Sequence, residues 1–207
     1  MKKIIAVTLG LALVTGSFYS CKKGDNDPFL SLRTRKARVV GSWTVSKEEI
    51  NETNINGTTT ETIQSIYDGT RRITTTTTKI GTITTTVVDT MGFKTTFKLL
   101  KDGTYNMTFV DDNHLDVVTS IGTWLFLGKS KLDKLKKKEA ILLTTTQSII
   151  SNGSVTNTVN YTDLNGLTIV IDELKNKEMI TIVQEDSENS TGLVSNKKTT
   201  KTTYIQN

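Results

Sequence analysis

The sequence predicts an all-β fold, an antiparallel up-and-down barrel of about 8–10 strands over residues 39–207. Three observations carry that prediction. Threonine, β-branched yet polar, makes up about a fifth of the chain and suits strands whose faces meet water. Proline occurs once, and no long stretch repeats apolar residues at helical spacing. Short alternating segments recur between turn signals, and closing them into a ring removes the exposed edges they would otherwise present.

The chain starts with a positive Met1-Lys2-Lys3 and an apolar run from Ile4 to Val14, the pattern of a secretory signal over residues 1–20. That run is shorter than the roughly 20 residues a bilayer span needs. Ser17-Phe18-Tyr19-Ser20 places a small residue directly before Cys21, the single cysteine. This resembles a lipobox, where bacterial lipoprotein signal peptidase cuts and the cysteine is acylated. Phe18, in place of the commoner leucine, is a relaxation found in lipoproteins of Bacteroidota. Each buried chain methylene contributes ~0.8 kcal/mol, so two or more acyl chains on Cys21 predict stable attachment to a membrane. Without residues 1–20 the chain keeps 187 residues, and losing Lys2 and Lys3 lowers the net charge from +5 to +3. That length supports one core without disulfides, and that charge is too small to imply nucleic acid.

Residues 21–38 read as the lipidated cysteine followed by a polar, basic tether ending in Arg33-Thr34-Arg35-Lys36-Ala37-Arg38. Strands are expected at 39–46, 59–68, 71–79 and 82–90. The clearest hairpin joins 93–100 to 104–110 through Lys101-Asp102-Gly103. Period-2 spacing puts Phe93, Phe97 and Leu99 on one face with Tyr105, Met107 and Phe109, which predicts a core. Further strands are expected at 117–127, 140–150, 154–163, 167–171, 178–184 and 199–205.

Several segments together resemble the lipocalin-like lipoproteins of Bacteroidota. They are Val40-Gly41-Ser42-Trp43-Thr44-Val45, the run from Phe97 to Tyr105, Ile121-Gly122-Thr123-Trp124 and the run from Leu174 to Met179. The resemblance spans most of the chain after the signal and implies a lipocalin-like barrel at the outer membrane, on its periplasmic or cell-surface side. In lipocalins the Gly-x-Trp tryptophan meets an arginine from the last strand. Here every arginine lies at or before Arg72, which leaves a C-terminal lysine such as Lys198 for that place.

Trp43, Phe97, Tyr105, Met107, Phe109 and Trp124 are the candidate ligand-lining or core residues, since small-molecule sites are concave and rich in apolar and aromatic groups. The expected function is therefore binding of a small hydrophobic ligand. The alternative is a structural or interaction lipoprotein with a filled core. His114 sits in an acidic turn, Asp111 to Asp116, that reads as a polar loop rather than a metal site, and no Gly-x-Ser-x-Gly is present. The chain reads as neither an enzyme nor a cofactor carrier. Asp89-Thr90-Met91 resembles the O-glycosylation acceptor of Bacteroidota, making Thr90 a candidate site. The lysine-rich run 128–139 reads as a solvated loop with one helical turn capped by Ser130 and Asp133.

Overall fold

The computed structural model describes residues 34–112, 116–129, 138–153, 155–162, 166–189 and 193–207. One short helix, α1 (Arg35–Val39), precedes eleven strands. They are β1 (Gly41–Asn56), β2 (Thr59–Tyr67), β3 (Arg71–Ile80), β4 (Ile83–Leu99), β5 (Thr104–Asp111) and β6 (Asp116–Lys129). After these come β7 (Glu139–Asn152), β8 (Val155–Asn160), β9 (Gly166–Leu174), β10 (Glu178–Glu188) and β11 (Val194–Gln206).

All pairings are antiparallel, and ten of the strands close a ring, with β6 returning to β7 and β8 attached to the far half of β7. The predicted all-β barrel is the observed one. Turn chemistry sets much of the register. Asp68-Gly69-Thr70 and Asp102-Gly103-Thr104 are the same device, in which the aspartate accepts the threonine N–H and hydroxyl at 2.7 to 2.9 Å. Both glycines hold positive φ, 100° and 87°, which L side chains resist.

The ring does not have one width. Gly41–Thr44 of β1 pair directly with Thr96–Leu99 of β4, so at that end β2 and β3 are bypassed and eight strands close the circuit. Farther along, the β2–β3 hairpin separates β1 from β4 and ten strands surround the axis. The narrow end is filled by one core containing Trp43, Phe97, Tyr105, Trp124, Ile141, Leu174, Met179 and Tyr204.

Helix α1 plugs this narrow end. Thr34 Oγ1 caps it by accepting the Ala37 N–H at 3.2 Å. Val39 is buried beneath the barrel, and the Trp43 indole N–H donates to its carbonyl at 2.8 Å. Arg35 pairs with Glu139 at 3.0 Å, and Arg38 donates to the Leu174 carbonyl at 2.8 Å. The sequence places both arginines in a solvated tether, yet they are 7 % exposed. The corresponding place for Lys198 is also corrected. It lies in the wide half, opposite Glu52 and 3.8 Å from Glu185, far along the strand from Trp43.

Other differences concern length. β1 runs to Asn56 rather than stopping near residue 46, and β4 is one strand through Gly92 where two were expected. Strands with water on both faces carry no apolar alternation, so their extent is not marked in the sequence. The second Gly-x-Trp works by close approach. A Cβ on Gly122 would lie 2.0 Å from the Thr144 carbonyl and 2.7 Å from the Tyr105 ring, at a bulge in the β6–β7 ladder.

Replacing Arg35 with methionine removes the cation facing Glu139 in a buried site and should cost about 3–5 kcal/mol. Denaturant unfolding with its midpoint unchanged would remove α1 as a stability element. Gly122→Ala should lower stability by about 1–3 kcal/mol through overpacking, read as a fall in melting temperature.

Candidate functional site

The candidate site is the interior of the wide half, and its floor is built first. Trp43 (0 % exposed), Phe97, Tyr105 and Trp124 interlock there with Tyr204. The Phe97 ring meets those of Tyr105 and Tyr204 at 5.9 Å each, and the Trp124 indole donates to the Leu100 carbonyl at 2.8 Å. These four sequence candidates are packed core, and Trp124 also borders a surface cleft with Lys36, Asp102 and Leu142.

A second layer seals the floor. Tyr67 stacks on Phe93 at 4.4 Å and donates its hydroxyl to the Phe93 carbonyl at 2.8 Å. Phe109, half-buried, lies 4.9 Å from Phe93 on the other side. The Arg72 guanidinium sits 4.5 Å above the Phe93 ring, a cation–π contact, and is ion-paired with Glu48. Glu48 also accepts the Thr202 hydroxyl at 3.3 Å. Sequence reading missed Arg72 and Glu48 because they meet only through the β1–β2–β3 register, where both oppose Tyr67.

Above this layer the interior is open and two-sided. Met107, Ile150, Val159 and Leu167 share the inward face of β5 and β7–β9, yet they are 38 %, 39 %, 41 % and 43 % exposed. Inward orientation follows from register. Met107 opposes Phe97, Ser120 opposes Met107, Ser148 opposes Ser120 and Val159 opposes Ser148. Hydroxyls run beside them, with Tyr105 and Thr145 2.5 Å apart and Tyr161 donating to Ser148 at 3.3 Å.

The facing wall is mostly polar. Asn54 Nδ2 donates to Glu52 at 3.1 Å and to Glu61 at 3.2 Å, while Asn196 donates to Glu52 at 2.9 Å and to Asn54 Oδ1. Ile63 and Val87 lie among these groups on the same face. The arrangement offers carboxylate acceptors and amide donors opposite an apolar flank. Among the described residues no cluster of three His, Cys, Asp or Glu side chains is placed to hold a metal.

Thr90 is exposed on the outer face of β4, with its N–H donating to Asp89 at 2.9 Å. Cys21, His114 and the Ser130–Asp133 cap lie outside the described residues. Of the sequence candidates, Met107 alone reaches the open interior. The missed residues Ile150, Val159 and Leu167 had a signal in their alternation, but Glu52, Asn54, Glu61 and Asn196 had none.

The fold defines the chain as a closed antiparallel β-barrel protein. No family model and no curated protein matches the sequence. Among solved structures, a porin-like protein from Bacteroides uniformis ATCC 8492 aligns at 13 % identity and a TM-score of 0.28, over 79 % of this chain and 96 % of that one.

Burial pushes the Tyr204 phenol up from 10.0 to about 12, and burial raises Tyr67 and Tyr105 in the same direction. The unfolded chain therefore ionises its tyrosines first, and stability should fall as pH rises from about 10 toward 12. Tyr204→Phe should flatten that loss. An alkaline unfolding curve with the same slope in both proteins would show that this phenol is not coupled to folding.

Proposed function

We propose that the protein is a membrane-anchored envelope lipoprotein whose lipocalin-like barrel binds a small amphiphile in the wide half. The observation that carries the reading is the solvent-reached apolar flank of Met107, Ile150, Val159 and Leu167, facing the carboxylate and amide wall of Glu52, Asn54, Glu61 and Asn196. Side chains of the first kind gain about 25 cal/mol per Å² when an apolar group covers them. Paired amides and carboxylates suit hydroxyl donors and acceptors, so a hydroxylated head group fits the second. The reading sharpens the sequence-based expectation of a small hydrophobic ligand, and it moves the site off the aromatic floor.

The second reading, an interaction or structural lipoprotein with a filled core, is favoured by the buried Trp43–Trp124 floor. The two separate on one measurement. N-phenyl-1-naphthylamine should brighten on adding the Cys21→Ser protein and be displaced by dodecyl maltoside. Met107→Arg should weaken that binding about tenfold, some 1.4 kcal/mol, with little change in melting temperature because Met107 is partly exposed. Absence of brightening in the parent protein favours the filled-core reading.

Anchoring is tested separately. Labelled palmitate should enter the parent protein in its host and not Cys21→Ser, which should also leave the membrane fraction. Equal labelling of both would place any acylation elsewhere.

A further inference from the structure

The two ends of the barrel carry opposite charge. Residues 34–45 and 96–105, which supply α1 and the narrow-end parts of β1, β4 and β5, hold five cationic side chains and one carboxylate. Residues 48–61, in the wide half, hold four carboxylates and no cation, and Glu185–Glu188 add three more carboxylates. Two of the narrow-end cations are engaged inside the fold, Arg35 with Glu139 and Arg38 with the Leu174 carbonyl. The other three, Lys36, Lys98 and Lys101, are exposed, and among the described residues none of them has an ion pair.

These three ammonium groups border two adjoining clefts on the outside of the narrow end. The Lys101–Asp102 turn belongs to both, with Lys98 and Leu100 lining one and Lys36, Leu125 and Leu142 lining the other. The second cleft holds about 560 Å³, room for a small polar head group beside its two lysines. Asp102 is the one carboxylate at either cleft, and it is turned onto the Thr104 N–H and hydroxyl at 2.9 and 2.7 Å. Leu125, opposite Leu142 on the outer face, is 56 % exposed, and Leu127 is 44 % exposed. Lysines set around exposed leucines suit a membrane interface, where the apolar side chains enter and the ammonium groups meet phosphate.

The path of the chain selects the partner. On the anchored reading only residues 22–33 separate Cys21 from the start of the described structure at α1, so the leaflet holding the acyl chains lies nearest this end. An anionic leaflet attracts the lysine-rich base and repels the carboxylate-rich wide half, so charge and tether favour the same pose.

We infer that the outer base of the barrel, centred on Lys36, Lys98, Lys101 and Leu125, is a docking surface for an anionic phospholipid bilayer. The inference rests on the anchored reading above and adds a second, non-covalent contact that sets the orientation of the barrel.

The test removes the acyl anchor so that only the surface contact remains. The Cys21→Ser chain without residues 1–20, the form that signal removal leaves, is sedimented with vesicles of phosphatidylcholine alone or mixed with phosphatidylglycerol. Binding is expected to the mixed vesicles only, and it should fall as salt is raised. Lys36→Glu/Lys98→Glu/Lys101→Glu should weaken it about tenfold or more, with the melting temperature kept because all three side chains are exposed. Lys79→Glu/Lys197→Glu/Lys201→Glu, in the wide half, changes the net charge equally and should weaken it far less. Acrylodan on Thr123→Cys, at the Lys36 cleft, should shift to the blue with vesicles, whereas on Thr84→Cys, in the wide half, it should not. Equal losses in the two triple variants, a shift at Thr84 instead of Thr123, or equal binding to both kinds of vesicle overturns the docking surface. No binding by the parent chain also overturns it, and leaves the acyl anchor to be decided by palmitate labelling.

Discussion

The rest of the structure depends on four residue pairs. Gly41–Thr44 bond to Thr96–Leu99 and force the ring to eight strands at one end. A ring of that size leaves an interior that side chains can fill, and a larger ring does not. The aromatic residues are therefore consumed where the ring is tight, and the mid-barrel residues beyond them are left partly wet. Packing and openness are two outcomes of one change in strand number.

The tight end concentrates the features that hold the barrel together. Both indoles donate to main-chain carbonyls there, Trp43 to Val39 and Trp124 to Leu100, so each Gly-x-Trp satisfies its polar atom while burying a large ring. The Arg35–Glu139 pair joins residues that are distant in sequence and sits in a site shielded from water. Such a pair adds little by replacing apolar packing, but removing either member leaves a buried charge. Its contribution is better described as fixing how α1 docks than as net stabilisation.

How much of this was legible in the sequence follows from the range of each interaction. The 93–110 hairpin was readable because Asp102-Gly103-Thr104 and the alternation around it are local. The correct faces of Met107 and Phe109 came with it, but the exposure of Met107 did not, since it depends on the ring's diameter at that height. The fate of Arg35 and Arg38 was hidden for a similar reason. Their partners, Glu139 and the Leu174 carbonyl, lie more than a hundred residues away, so a run with four basic residues in six reads as a tether. Glu52 and Asn54 fell outside the expected strands and Glu61 inside the one at 59–68, but none was marked as a wall residue, because a strand wetted on both faces has no pattern to announce which side faces the lumen. Bulges, such as the shift between Val45 and Lys47, move which residues point inward and leave no local mark.

The docking of α1 also has a directional meaning. The chain enters the barrel at its plugged end, and twelve residues, 22–33, separate Cys21 from the start of the described structure, a reach of at most about 40 Å when fully extended. An acyl group on Cys21 would hold the protein like a cup standing on its base, with its rim turned toward the surrounding fluid. On the amphiphile reading proposed above, a ligand would then reach the open end from solution or from a facing surface, and the leaflet that holds the anchor would be the least accessible source.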